Sequence, residues 1–258
     1  MERLRTEQPK GLTRAGLRKW GMLFVMLGVF GRSILLNRYL GIAGMTADQL
    51  LEAMSTGSQV MVMVTIALVF QFLETMASPI FCLLLAEGCD HTSDMAKYMG
   101  RVLGVAAISE LPFNFAMTGK LLDMGTRNPV FSLFLSMVVL YLYKRYSQKS
   151  FQNLLTKAAG TFAAVFWCGM LKVEGGIVAV ILTCVFWAFR KKPNIRNLMA
   201  GIAAMFCSIF SIFYVLSPMG LMVLHFYNGE KGEENRLVSY LFYPAVLLVF
   251  GIAGALAF

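Results

Sequence analysis

The chain has 258 residues, of which 58% are hydrophobic and 14% are charged, and its formal net charge is +9. This composition excludes an ordinary soluble domain and predicts a polytopic membrane protein, because long apolar runs recur along the whole chain. It also argues against a nucleic-acid-binding protein, since no polar domain is present to carry a basic binding surface.

Lysine and arginine are concentrated in the links between the apolar runs. Sixteen of the 23 fall in residues 1–19, 89–101, 144–157 and 190–197. By the positive-inside rule, these links lie on the cytosolic side of a membrane. We therefore predict a cytosolic basic segment over residues 1–19, a single transmembrane domain over residues 20–258, and both termini in the cytosol.

The first apolar run covers residues 21–36 and predicts an uncleaved first span, because no small-residue cleavage site follows it. Arg32 lies near its outer end, where it either extends to the membrane interface or is the counter-ion of a buried carboxylate. After this run, Thr46 and Gln49 have the spacing of a capping box. The short helix that they would open is predicted to lie in the interface.

The next apolar run, residues 60–88, is too long for a straight crossing. As a helix it extends about 43 Å, against a hydrocarbon core of roughly 30 Å. We predict a break at Pro79, because proline removes a backbone donor and clashes with the preceding turn. Glu74 lies near the middle of this run.

The rest of the chain predicts further spans over residues 102–118, 129–143, 158–171, 177–189, 198–216 and 237–258. Asn128 and Pro129 have the pattern of an N-cap and a first-turn proline. The run over residues 219–227 is too short to cross and predicts a re-entrant half-helix. The predicted fold is an all-α, polytopic integral membrane helix bundle of about eight transmembrane helices, with an interfacial helix and a re-entrant half-helix.

Glu87 and His91 are four residues apart at the cytosolic end of their span. If the helix continues that far, the two side chains share one face. A carboxylate beside an imidazole can fix its tautomer and raise its pKa, which is the arrangement that a general base requires. The pair is also compatible with the polar end of an ordinary span.

Glu74 and Glu110 are carboxylates near the middle of predicted spans. A charged side chain there costs on the order of 3 kcal/mol, so each must be neutral, paired, or in contact with a hydrated cavity. Two buried acids and a histidine near one entrance form an acid–base set. They would equally form a proton relay in a transporter.

Lys97 and Arg101 lie just inside the cytosolic face. They are positioned either to bind an anionic group, such as a cofactor phosphate, or to anchor a helix end at lipid headgroups. The five cysteines are scattered and there are two histidines. The sequence therefore predicts neither a disulfide framework nor a metal site.

A set of motifs over about residues 70–245 resembles the TraX family, the membrane proteins associated with pilin acetylation in conjugation systems. The matching residues are Pro79, Ile80, Phe81, Leu83, Leu84, Leu85, Glu87, Gly88, His91, Thr92, Lys97, Tyr98, Arg101, Ile108, Ser109, Glu110, Pro112, Phe113, Asn128, Phe131, Tyr227, Asn228, Gly229, Phe242, Tyr243 and Pro244.

The resemblance implies a multi-pass acyltransferase of the bacterial inner membrane, which transfers an acetyl group from acetyl-CoA (acetyl-coenzyme A) to an amine such as a pilin N-terminus. Its partners would be membrane lipid and a pilin-like or other surface protein. Together with the buried acids, it suggests His91 as the base, oriented by Glu87, and Lys97 and Arg101 at the cofactor phosphates. The remaining predicted site residues are Glu110, catalytic, and Glu74, Asn114 and Asn128, lining the substrate cavity.

The chain departs from the family pattern in the first span. Relatives commonly carry an Asp-His pair there, whereas residues 27–31 of this chain include no acid and no histidine. Either His91 takes over as the base, or the reaction has been lost. Two alternatives therefore stay open: a proton-coupled transporter with Glu74 and Glu110 as its relay, and a non-enzymatic assembly factor of a conjugation or surface apparatus.

Overall fold

A computed structural model describes residues 11–42, 47–55 and 57–257, and this part of the chain is mainly helical. The α-helices are α1 (Arg14–Phe30), α2 (Ala47–Ser55), α3 (Ser58–Thr75), α4 (Ala77–His91), α5 (Met95–Thr118), α6 (Val130–Arg145), α7 (Phe151–Met170), α8 (Gly176–Ala188), α9 (Pro193–Phe206), α10 (Gly220–His225) and α11 (Arg236–Ala257). The predicted all-α class is confirmed. Thr46 lies outside the described residues, and the helix that it is predicted to open corresponds to α2.

Within the described residues, three helical stretches are long and apolar enough to cross a membrane: Arg14–Tyr39, Ser58–His91 and Leu237–Ala257. Shorter apolar helices accompany them at Gly176–Ala188, Ile195–Ile209 and Ile212–His225. The three long stretches are those of a membrane protein, because their length and composition match a hydrocarbon core. The predicted number of transmembrane helices stays a prediction.

The first span is longer than predicted and changes its helix type midway. α1 begins at Arg14, inside the segment predicted to be polar and cytosolic, and continues directly into a π-helix, Gly31–Tyr39. The side chain of Thr13 caps its start by accepting a hydrogen bond from Gly16 N (3.2 Å). π-helix is rare in proteins, and where it occurs it often lies at a functional site. Arg32 is the second residue of this π-helix.

The break in the second long stretch lies between α3 and α4, at Met76. It was predicted at Pro79, three residues later. A proline ring clashes with the carbonyl four residues before it, which here belongs to Thr75. The helix is therefore interrupted one turn ahead of the proline itself.

Basic links meet at one end of the bundle, which we call the basic end. Lys144 Nζ donates to the carbonyl oxygen of Cys89 (2.8 Å), and Arg190 pairs with Asp90 (3.3 Å). The first described residues also lie there, since Arg14 pairs with Glu87 near the end of α4 (3.3 Å). The basic links thus share a face, as the positive-inside rule requires.

The two ends of the described chain lie at opposite ends of the bundle, and the placement of both termini in the cytosol stays a prediction. α1 begins at the basic end, whereas Gly251 and Gly254 of α11 pack against Phe115 and Arg38 at the other end. α11 runs alongside α5, from the basic end outward.

The direction of α11 is set by the segment before it, which is the one predicted to be a re-entrant half-helix. Residues Ile212–Met219 form a 3₁₀-helix that leads into α10. A 3₁₀-helix rises about 2.0 Å per residue, so this short run reaches farther than an α-helix of equal length. It extends from Phe213, whose carbonyl accepts from Thr75 (3.0 Å), to Tyr227 beside Glu87 at the basic end. This segment therefore brings the chain back to the basic end before α11 begins.

Candidate functional site

A cavity of about 410 Å³ lies inside the bundle, between α1, α3, α4, α5, α6 and α11. Its charged lining residues are Arg18, Glu74 and Glu174, and its tyrosines include Tyr98, Tyr214 and Tyr243. Most of the remaining lining is apolar. A largely apolar cavity with a few convergent polar groups is the usual form of a small-molecule site.

Beside this cavity, Arg32 lies between two carboxylates. Its Nη2 donates to Glu74 Oε1 (2.7 Å), and its Nη1 pairs with Glu174. All three side chains are at most one third exposed. One guanidinium cannot neutralise two carboxylates, so the cluster keeps an excess negative charge unless it binds a proton. We call these three residues the carboxylate cluster.

The backbone of the first span makes room for this cluster. A Cβ at Gly28 would overlap the side chain of Glu74. One turn later, the π-helix begins and Arg32 reaches the same carboxylate. Glycine at position 28 is therefore required by the close approach of Glu74 rather than by its backbone angles.

Glu174 reaches the cluster from the turn between α7 and α8. Its backbone N donates to the carbonyl oxygen of Arg127 (3.0 Å), and Gly175 adopts a φ of +62° before α8 begins. A left-handed residue at this point favours glycine. The turn is therefore fixed by its own hydrogen bonds and places a carboxylate inside the bundle.

Three polar atoms at the cluster have no hydrogen-bond partner within the described residues, and Arg32 Nε is one of them. The other two belong to residues that line the cavity. They are Glu174 Oε2 and the hydroxyl oxygen of Tyr243, and both atoms are buried. Buried polar atoms are normally satisfied, so this unpartnered acceptor and donor mark positions where a ligand can bind.

Glu87 does not line the cavity, although it is a predicted catalytic residue. Its carboxylate accepts a hydrogen bond from the Tyr227 hydroxyl (2.6 Å) and pairs with Arg14 (3.3 Å) and Arg196 (3.5 Å). Burial raises the pKa of Tyr227 to about 12, which keeps the phenol protonated as the donor. This group of four residues, the basic-end clamp, joins α1, α4, α9 and the segment that follows α10.

The clamp gives a first testable prediction. Replacing Glu87 by alanine leaves two partly buried arginines without their shared carboxylate, which should lower the free energy of unfolding by about 3 kcal/mol. Thermal unfolding of the purified protein in detergent measures this loss. A shift no larger than that of Glu52→Ala, an exposed carboxylate in α2, would contradict it.

His91 is exposed at the end of α4. Its Nδ1 lies 2.8 Å from the carbonyl oxygen of Glu87, one turn back, and not from the carboxylate. The predicted pairing of the two side chains is therefore not formed, because the carboxylate is held by the clamp. The imidazole instead completes the last turn of the helix, where backbone carbonyls lack partners.

Glu110 is satisfied by residues close to it in the chain. It pairs with Arg127 (2.9 Å) and accepts hydrogen bonds from Asn128 Nδ2 (2.6 Å) and Asn128 N (3.2 Å). The structure thus brings together two predicted site residues, Glu110 and Asn128, yet neither lines the cavity. Asn114 is buried farther along α5 and is also outside the lining. Glu110 fastens the start of α6 to α5.

The two predicted cofactor-binding cations differ in their surroundings. Lys97 is 82% exposed and pairs with Asp94 (3.2 Å), which caps α5; the Lys97 backbone hydrogen bond lowers the pKa of Asp94. The guanidinium of Arg101 lies over the rings of Tyr98 and Tyr240, 5.9 and 6.0 Å from their centroids. Both rings line the cavity. Arg101 therefore borders the cavity, whereas Lys97 faces away from it.

Of the predicted site residues, only Glu74 lines the cavity. Sequence reasoning missed Arg18, Glu174 and Tyr243. Tyr243 belongs to the Phe242-Tyr243-Pro244 string that carries part of the family resemblance, so the sequence did contain a signal that could have identified it. Glu174 precedes two glycines between apolar runs and therefore has the pattern of an ordinary surface turn.

A helix bundle with long apolar spans and a charged cluster between them defines an integral membrane protein. The family model described as TraX protein matches residues 35–253, and the chain belongs to the TraX family. It is similar to the probable fimbrial assembly protein FimC, serogroup H1, of Dichelobacter nodosus. The two are 27% identical over 197 residues, which cover 67% of this chain and 78% of that protein. No solved structure matches.

Proposed function

We propose that this protein is an acyltransferase of the bacterial inner membrane that acts in a pilus or conjugation apparatus. It would transfer an acetyl group from acetyl-CoA to an amine of a pilin-like protein. The observation that carries the proposal is the carboxylate cluster beside the cavity, since it offers a proton acceptor inside the bundle. Membership of the TraX family and the similarity to a protein named for fimbrial assembly support the apparatus.

Acyl transfer to an amine requires a base. The unprotonated nitrogen attacks the thioester carbonyl carbon, the carbon–sulfur bond breaks, and coenzyme A leaves as its thiolate, which afterwards takes up the proton that the nitrogen has lost. The nitrogen loses a proton in this process, and Glu74 or Glu174 would accept it. Because Arg32 balances only one of the two carboxylates, the cluster has a net negative charge. It becomes neutral when it takes up this proton.

Tyr243 adds a hydrogen-bond donor to the same wall of the cavity. Negative charge develops on the carbonyl oxygen of the thioester as the nitrogen attacks, and a positioned hydroxyl stabilises it. The Tyr243 hydroxyl is buried and has no partner within the described residues, so no existing hydrogen bond must be broken. It would donate to this oxygen.

In this proposal the cavity carboxylates, and not His91, act as the base. We expect His91→Ala to retain acetyl transfer within about twofold of the wild type, because the imidazole is exposed and bonded only to a helix carbonyl. Initial rates of transfer to a pilin-like peptide measure this. A complete loss of transfer in a folded His91→Ala variant would show instead that His91 is the base.

A proton-coupled transporter is the second candidate, and the carboxylate cluster also favours it. Two carboxylates that share one arginine within a membrane bundle can bind and release a proton. Uptake that depends on a pH gradient, together with an absence of coenzyme A binding, would select this candidate.

A comparison of surface proteins tests the proposed function directly. Proteins from cells with and without this chain are analysed by mass spectrometry for a difference of one acetyl group. The purified protein is then incubated with labelled acetyl-CoA and a peptide from any modified N-terminus. Label on the peptide supports the acyltransferase. Loss of pilus assembly in the cells without this chain, with no acetyl difference, indicates a non-enzymatic assembly factor instead.

A further inference from the structure

A segment after α10 lies across the basic end of the bundle, and we call residues 226–235 the strap. Backbone hydrogen bonds fix it to the start of the chain. Leu12 N donates to the Phe226 carbonyl (2.7 Å), and Arg14 N donates to the Glu230 carbonyl (2.7 Å). The strap therefore packs directly against the first turn of α1.

The strap places a carboxylate on an arginine of the cavity. Arg18 lines the cavity, and its Nη1 pairs with Glu234 of the strap. Their side chains are 24% and 14% exposed, so water screens this pair only partly. Glu234 also accepts a hydrogen bond from Ser239 Oγ (3.0 Å), and Ser239 lines the cavity too.

Charge is unevenly distributed along the cavity. The carboxylate cluster is negative, whereas Arg18 lies at the strap and Arg101 stacks on Tyr98 and Tyr240 nearby. A guanidinium is a planar donor that fits carboxylate and phosphate oxygens alike. Glu234 thus occupies a position that also suits a phosphate group.

We propose that Arg18 and Arg101 bind the phosphate groups of a nucleotide-type ligand at the strap, and that Glu234 competes with these phosphates for Arg18. The choice of ligand rests on the proposed function, because acetyl-CoA carries its phosphates at the end opposite the thioester. Binding displaces Glu234, which releases the strap from α1 at this point. The strap is then an intramolecular competitor for the phosphate site.

The test is calorimetric titration of the purified full-length protein with coenzyme A. We expect Glu234→Gln to bind about tenfold more tightly than the wild type, because the amide keeps the shape of the side chain but not its charge. Arg18→Gln should bind at least about tenfold more weakly. Glu233→Gln, which changes the neighbouring exposed strap residue, is the control and should match the wild type.

A gain of affinity cannot result from a damaged fold, so the Glu234 variant decides the proposal even if the Arg18 variant is unstable. Unchanged or weaker binding of coenzyme A in Glu234→Gln would overturn it. The proposal is also overturned if nanodiscs of phosphatidylglycerol, and not coenzyme A, show the gain, because the occupant is then a lipid headgroup.

Acetyl transfer measured on the same variants separates this inference from the proposed function. Tighter coenzyme A binding in Glu234→Gln, with no transfer in the wild type, would support the phosphate site and contradict the acyltransferase. Transfer in the wild type, with coenzyme A affinity unchanged in both variants, would overturn the phosphate site and leave the acyltransferase standing.

Discussion

Glu74→Gln is expected to reduce acetyl transfer by about 10³-fold while the protein stays folded. The amide still accepts a hydrogen bond from Arg32, but it cannot accept a proton. It also leaves Arg32 with Glu174 as its one counter-charge in the cluster, so the cluster is neutral and no longer attracts the proton of the amine. Initial rates with labelled acetyl-CoA and detergent-purified protein measure the effect.

Glu110→Gln is the matched control for this experiment. Glu110 is also a carboxylate within a predicted span, but it is bonded to Arg127 and Asn128 and lies outside the cavity lining. We expect it to keep its rate of transfer and to lose some thermal stability. Full turnover in Glu74→Gln, or equal losses in the two variants, would show that the cluster is not the base.

Arg32→Met is expected to have the largest effect on stability. It removes the positive charge between Glu74 and Glu174 and leaves two partly buried carboxylates without their shared partner. Breaking a buried ion pair from one side costs about 3 kcal/mol or more, because the remaining charge is left unpaired. Thermal unfolding in detergent, followed by circular dichroism, measures the loss.

A second substitution shows whether this loss is electrostatic. Adding Glu174→Gln to Arg32→Met removes one of the unpaired carboxylates, and we expect it to restore part of the stability. The two effects should therefore be non-additive, as they are for residues in direct contact. A double variant that is less stable than Arg32→Met would show that the arginine stabilises the bundle through packing instead.

The buried acids show how far a linear pattern predicts a site. Glu74 and Glu110 were both identified because an ionisable group within a span requires a partner or a hydrated cavity. The structure gives them different roles. Glu110 finds its partners 17 and 18 residues away, at the next helix start, whereas Glu74 meets Arg32 and a carboxylate from a distant turn.

Glu87 shows why local spacing was misleading. Its position four residues before His91 predicted a shared face, and the helix does continue that far. Its carboxylate nevertheless accepts a hydrogen bond from Tyr227, 140 residues away, and pairs with two arginines. A charge-assisted set of contacts to several distant groups stabilises the carboxylate more than one imidazole on the same helix would.

The sequence by itself determined the helical class, the membrane character and the family, because apolar run length, charge distribution and motif strings are all local properties of the chain. The tertiary structure alone decided which charges share a cavity, and that the chain returns to the basic end before α11. The physical reason is that ion pairs such as Arg32 with Glu174 join residues 142 positions apart. Their partners are selected by how the helices pack, which no spacing along the chain specifies.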